Sequence, residues 1–207
     1  MELMLIRHGL PVRRELSEGI ADPELAAAGH EQARHLVSYL SNESIDAIYS
    51  SPLRRAHQTA DALAAARHLG ITTIDDVAEW DRNSRAYVPV EELKATNDPR
   101  WQAMMSGDWS AHDESPAEFS ARVVPALETL VDAHSGHRVA VVCHGGVINA
   151  YLLHILGLPV GRGFFYPNYT SIHRVAASRN GHRSVVTINE TSHLRGTGLP
   201  MGLMQQS

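Results

Sequence analysis

The chain has 207 residues, 43% hydrophobic and 20% charged, proportions of a globular protein long enough to bury one sizeable core. Its net charge of −5 leaves no global basic field to recruit nucleic acid, so any anion site must be built locally. The single cysteine, Cys143, excludes an internal disulfide and a cysteine-based zinc cluster, and no apolar run approaches the ~20 residues that span a bilayer.

The chain opens on Glu2–Arg7, a mostly apolar run that reads as a strand buried on both faces. It starts almost at Met1 with no basic segment and long apolar stretch before it, which argues against a signal peptide and makes a cytoplasmic location the default expectation. A polar loop with Pro11, Gly19 and Pro23 follows. Asp22-Pro23 reads as cap and first position of a helix that runs to about Leu40, with Leu25, Gln32, Ala33, Leu36, Val37 and Leu40 near helical spacing. Ile45–Tyr49 is a second strand, and Ser50-Ser51-Pro52 caps a helix carrying Leu53, Ala56, Ala60, Leu63 and Ala64 on one face. A short strand is expected around Thr72–Ile74.

The alternation breaks from Glu79 to Ser115, a stretch with all three tryptophans (Trp80, Trp101, Trp109), Tyr87 and many polar residues. Residues 80–115 read as a lid-like insertion of short helices over a site, with a satellite packing patch as the equal alternative. A long helix is expected from about Pro116 to His134, a strand over Arg138–Cys143, and a helix from about Val147 to Leu156 stopped by Gly157 and Pro159. Ser171–Ala176 and Ser184–Ile188 read as two more strands joined at the hairpin signal Asn180-Gly181. The Gly-rich tail, residues 195–207, is expected to be mobile, leaving a single domain over 1–194.

Strands alternating with helices predict a three-layer α/β sandwich around a largely parallel sheet, in which ligands gather at the carboxyl ends of the strands. Arg7-His8, Ser50-Ser51 and His144 all fall at such ends, in three separate segments. Two imidazoles, each closing a strand and each followed by glycine, can face one another across the top of a sheet, with Arg7 adding a fixed positive charge. That combination suits an anion held between histidines and points to phosphoryl chemistry with a histidine nucleophile. Cys143, inside an apolar run, reads as a buried structural thiol.

At this point the chain resembles the histidine phosphatase superfamily, also called the phosphoglycerate mutase-like family. Arg7-His8-Gly9 is similar to its first block, Ser50-Ser51-Pro52-Leu53-Arg54-Arg55-Ala56-His57-Gln58-Thr59-Ala60 to its second, and Val142-Cys143-His144-Gly145-Gly146-Val147-Ile148 to its third. Asp22 through Ala33, Asn168 to Ile172 and Asn189 to Leu194 extend the likeness. The resemblance implies a phosphoglycerate mutase-like fold and a metal-independent phosphatase with no cofactor, acting on a small phosphorylated metabolite through a phosphohistidine on His8. It implies that Arg7, Arg55 (rather than Arg54) and Gly145 hold the phosphate, that His144 donates to the phosphoryl oxygens, and that Glu79 is the acid, with Asp81 and Glu91 as fallbacks. The thirteen histidines include no His-Glu-x-x-His or comparable metal spacing.

The pattern departs from the family in two places. Arg-His-Gly continues as Leu10-Pro11-Val12-Arg13-Arg14, without the asparagine that helps hold phosphate; Arg14 stands at that distance, and Arg13 or Arg14 is a candidate replacement. After the acid, Trp80-Asp81-Arg82-Asn83-Ser84-Arg85 replaces the usual Gly-x-Trp-Glu-Gly, making Arg82 and Arg85 either substrate contacts or ordinary solvated charge. Both departures weigh against a phosphoglycerate mutase and towards a phosphatase of unassigned substrate. Mutase-type phosphoryl transfer and a phosphate-recognising regulatory module with little turnover remain the alternatives, and a homodimer is the default assembly for a soluble enzyme.

Overall fold

The computed structural model describes residues 1–161 and 163–203. Its centre is a parallel pair, β1 (Glu2–Arg7) and β6 (Arg138–Cys143), in register from Glu2 opposite Arg138 to Arg7 opposite Cys143. Both strands are apolar on both faces. Leu3, Leu5, Val139, Val141 and Cys143 point into one core, and Met4, Ile6, Ala140 and Val142 into the other. A strand with two apolar faces is stable only with a layer on each side, and the helices supply both. α1 (Ala27–Tyr39) and α2 (Arg54–Arg67) cover one face through Leu36, Ala56, Ala60 and Leu63. α5 (Pro116–Ala133) and α6 (Gly145–Leu156) cover the other through Phe119, Val123, Leu127, Ile148 and Tyr151.

β3 (Ala47–Ser50) pairs in parallel with β6, and β4 (Ile71–Thr73) with β3. On the opposite side of β1 the sheet ends in β7 (Ile172–Ala177) and β8 (Arg183–Glu190), both paired antiparallel to their inner neighbours. The order is β4-β3-β6-β1-β7-β8, a mixed, mostly parallel sheet between helices, as expected. A ribbon of β2 (Arg14–Glu15) and β5 (Ala86–Tyr87) ties the loop after β1 to the segment after β4. Short helices α3 (Val90–Ala95) and α4 (Pro99–Ser106) fill the stretch before α5. No helix among the described residues is long and apolar enough to cross a membrane.

Two helix starts differ from the sequence expectation. α1 begins at Ala27 rather than Asp22, because Leu25 bridges to Pro11 and holds the preceding residues extended. Asp22 serves the neighbouring helix instead: its carboxylate accepts from the Arg54 backbone N–H at 3.0 Å, at the amino end of α2. α6 begins two residues early, at Gly145, directly after the strand-ending His144. The start of α5 is as its sequence suggests, with a reciprocal capping box between Ser115 and Glu118 and Pro116 in the first turn. Residues 199–203 return to the carboxyl end of the sheet, where the Met201 carbonyl accepts from the Tyr169 N–H at 2.9 Å and the Pro200 carbonyl accepts from Gln32. The last part of the tail expected to be mobile, residues 204–207, lies outside the described residues.

Candidate active site

Because β1 and β6 are parallel and in register, the residue that follows each strand emerges at the same level. Those residues are His8 and His144, whose ring centroids lie 5.1 Å apart. Both are buried. β3 ends beside β6, and this brings Ser51 to His144, with Oγ 2.7 Å from Nε2. The loop after β1 packs tightly on α1: a Cβ at Gly9 would lie 2.7 Å from the Gly29 carbonyl oxygen, so only glycine lets the chain pass there. The Gly9 N–H donates to Thr59 Oγ1 at 3.0 Å, and Thr59 donates to the Arg55 carbonyl at 2.8 Å, which links the first histidine loop to α2.

The tautomer of His8 follows from its partner. Nδ1 lies 2.7 Å from the Gly9 carbonyl oxygen, which can only accept, so Nδ1 carries the proton and Nε2 keeps its lone pair. Burial, then the charges of Arg55 and Arg7, holds the His8 imidazolium well below the ordinary histidine range. His144 is depressed in the same way, by burial first and then by Arg55, His8 and Arg7.

The two guanidinium groups are held by few partners. Arg7 Nη1 donates to the Pro167 carbonyl at 2.6 Å, and its plane lies over the Tyr169 ring with Cζ 4.3 Å from the centroid. Arg55, almost fully buried, donates from Nη2 to Asp81 Oδ1 at 2.7 Å and lies over Tyr87, 4.7 Å from its centroid. Arg7 Nε, Arg55 Nε, Arg55 Nη1 and His144 Nδ1 are buried with no hydrogen-bond partner among the described residues. Each buried donor left unmade costs about 1–3 kcal/mol, more when charged. Their concentration around His8 marks a place built for an anion rather than a stretch of core.

Glu79 reaches this place from the opposite direction. Its Oε2 accepts from the Gly146 N–H at 2.8 Å, in the first turn of α6, and its Oε1 accepts from the Trp80 N–H at 3.0 Å. Burial and the nearby Asp81 carboxylate raise its pKa against the opposing pull of those N–H groups and of Arg55. Arg122 braces the same segment, donating to the Asp76 and Ala78 carbonyls at 2.7 and 2.8 Å while its other nitrogens grip Glu114.

The residues singled out in the sequence fall into two groups. Arg7, His8, Arg55, Glu79, His144 and Gly145 converge, with Asp81 among them as the partner of Arg55. Glu91 lies at the margin, where its carboxylate accepts from Tyr169 Oη at 3.0 and 3.1 Å. The other arginines are engaged elsewhere. Arg14 donates to both oxygens of Glu24 at 2.9 Å, Arg13 pairs with Glu15 and Glu92, Arg85 donates to the Ser17 carbonyl, and Arg82 faces Glu114 at 3.7 Å. None of the four lines the cavity above His8, which has a volume of about 500 Å³. Ser51 as a partner of His144, the tyrosines that flank the arginines, and Gly146 as the partner of Glu79 are not singled out by the sequence. A cap motif and the paired glycines were the only local signals for them.

The chain matches the histidine phosphatase superfamily (branch 1) over residues 3–191. Phosphoserine phosphatase 1 of Hydrogenobacter thermophilus is 30% identical over 201 residues, covering 94% of each chain. The uncharacterized phosphatase PhoE of Bacillus subtilis is 32% identical over 156 residues, covering 74% of this chain and 76% of that one. Among solved structures, a phosphoserine phosphatase mutant from Entamoeba histolytica in complex with phosphoserine superposes with a TM-score of 0.73 at 25% identity, covering 93% of this chain and 98% of that one.

Proposed function

The chain belongs to the histidine phosphatase superfamily and is a phosphoric monoester hydrolase, and we propose that its reaction runs through a phosphohistidine on His8 at the cluster described above. The observation that carries this reading is the set of three unpartnered buried guanidinium nitrogens on Arg7 and Arg55, with the unpartnered Nδ1 of His144, around a histidine whose Nε2 lone pair is free. A phosphoryl dianion supplies the missing acceptors, and guanidinium forks match its oxygens.

In the first step the lone pair on His8 Nε2 forms a bond to phosphorus as the bond to the ester oxygen breaks. Glu79, whose acid form is favoured by burial and by Asp81, gives its proton to the departing oxygen, so the alcohol leaves neutral. Arg7 and Arg55 face the charge redistributed over the equatorial oxygens. If Ser51 donates to Nε2 of His144, the proton on that ring sits on Nδ1, the atom left over for a phosphoryl oxygen. In the second step the Glu79 carboxylate takes a proton from water, the water oxygen bonds to phosphorus, and the phosphorus–nitrogen bond breaks to release phosphate. The two arginines supply the positive charge that this path requires, so the reading includes no metal and no cofactor. It places a small phosphorylated metabolite in the cavity and describes a cytoplasmic enzyme with a homodimer as its assembly.

The test is a phosphatase assay over a metabolite panel in EDTA, with His8→Ala as the control. Turnover that survives EDTA, vanishes in His8→Ala and leaves an acid-labile phosphoryl group on His8 supports the path. Activity retained by His8→Ala overturns the covalent intermediate, and loss in EDTA overturns the metal-free reading. Sedimentation as a monomer overturns the dimer.

A further inference from the structure

We propose that the preferred substrate is the phosphate ester of an alcohol carrying an aromatic group. This rests on the phosphatase reading above and adds the class of leaving group. The alcohol half of any substrate must pass Glu79 and enter the cavity of about 500 Å³ beyond it, a volume suited to a small molecule. Charge on that cavity's lining is sparse. Among the described lining residues Arg7 is the one guanidinium, there is no lysine, and the carboxylates are Glu79 and Asp81. Arg7 is committed to the phosphate.

The walls are apolar and largely aromatic. Trp80 is stacked against Phe119, with centroids 3.9 Å apart and planes 4° apart, and against Trp109 at 4.7 Å and 19°. Two near-parallel rings that close to one indole fit only on its opposite faces, so the three form a sandwich that fixes one wall. The Trp109 indole N–H is tied to the Gly161 carbonyl at 2.7 Å, which anchors this wall to the loop after α6. α4, a helix with no buried residue, contributes Trp101, Met104 and Met105 to the same lining. Phe165 and Tyr166 complete the surround. A rigid aromatic wall together with flexible thioethers is a surface that accepts planar apolar groups of varied outline.

The experiment compares kcat/KM for 2-phenylethyl phosphate, ethyl phosphate, O-phosphoserine and 3-phosphoglycerate, all of them esters of aliphatic alcohols, so leaving-group acidity does not dominate. The phenyl group is expected to raise kcat/KM on the order of 50-fold over ethyl phosphate by leaving water, with both carboxylated esters, which lack an aromatic group, below the phenylethyl ester. Trp101→Ala and, separately, Met105→Ser should each narrow the phenylethyl-to-ethyl ratio; α4 buries no residue, so neither change opens the core. Phosphoserine or 3-phosphoglycerate turned over as well as the phenylethyl ester, or a ratio unmoved in both variants, would overturn the proposed class while leaving a trapped phosphohistidine, and the phosphatase reading, intact. Turnover of none of the four, with no phosphoryl group trapped on His8, would sink both.

Discussion

The backbone N–H of Gly146 meets Glu79 Oε2 at 2.8 Å, joining the helix that follows His144 to the segment that carries the carboxylate. The approach is so close that a Cβ on Gly146 would stand 2.2 Å from Glu79 Oε1 and 2.6 Å from the Trp80 indole nitrogen. Gly146→Ala should therefore push Glu79 aside without touching His8. We expect kcat for an alkyl phosphate to fall about 10²-fold, the scale of a lost general acid, with a smaller loss on nitrophenyl phosphate, whose leaving group needs little protonation. Equal losses on the two esters would show that Glu79 is not the proton donor.

Glu79 also sets the pH dependence. Its pKa is raised above 4.5, by burial first and then by Asp81, so the acid form needed in the first step is lost as pH rises through the raised value. kcat/KM should fall on that alkaline limb, and Asp81→Asn should shift the limb to lower pH by removing a repulsive charge. The stability consequence has a definite sign. A raised folded-state pKa means that the folded chain binds the proton more tightly, so this stabilisation is present below pH 4.5 and lost as pH climbs through the folded value. Glu79→Gln should accordingly be slower in turnover yet no less stable than the wild type at pH 8, as read from thermal melts; a clear drop in Tm there would contradict the raised pKa.

Acid should destabilise the fold early. His173 is held down to about 3 and His193 to about 4, chiefly by burial. Geometry agrees for His173: its Nδ1 accepts from the Asn189 N–H at 3.2 Å, so protonation there would set donor against donor. A depressed folded-state histidine pKa gives stability that is complete above the unfolded value of 6.5 and is lost as pH falls towards the folded one. At about 1.4 kcal/mol per pKa unit these shifts amount to roughly 5 and 3 kcal/mol, a large part of a typical domain's stability. Tm should drop steeply between pH 6.5 and 4.5 by circular dichroism. A flat profile over that range would mean that the histidines ionise inside the fold at little cost.

Anion binding should appear as thermal stabilisation. Orthovanadate at about a hundredfold its Kd should add about 2.7 kcal/mol, a Tm rise of roughly 5–10 °C for a chain of this size. Arg55→Met should abolish the rise, because it removes both unpartnered nitrogens of that side chain. Arg55→Lys should not restore it, since an ammonium cannot offer the same fork. A full rise in Arg55→Met would place the anion elsewhere.

Arg122 is expected to position the acid from a distance. It spans the Asp76 and Ala78 carbonyls and the Glu114 carboxylate. Arg122→Leu should lower kcat on alkyl phosphates roughly tenfold by loosening the segment before Glu79, while the yield of phosphohistidine from nitrophenyl phosphate stays near the wild-type level. An unaffected alkyl-ester kcat would reduce Arg122 to a packing role.

Much of this was legible in the order of the residues. Period and caps placed the six strands of the main sheet, and the level at which β1 and β6 end made His8 and His144 neighbours once the strands paired in parallel. The local pattern misleads where one side chain has two possible uses. Asp22 looks like the cap of the helix that follows it and instead caps α2, because the chain folds it there. Arg14 and Arg85 stand at suggestive distances in the sequence, but Glu24 and the Ser17 carbonyl claim them. The β2–β5 ribbon is too short to have a period, and it exists only because the two segments are brought together.

The amino-acid sequence by itself determined the two-faced strands, the helices that cover them and the histidines at the strand ends, because hydrophobic period and turn chemistry act over a few residues. Only the tertiary structure decided which donors stay unpaired around His8, how Gly146 receives Glu79, and that the tryptophans of the insertion wall the cavity. Those relationships join segments far apart in the chain, and their energies depend on burial and distance, which exist only once the chain has folded.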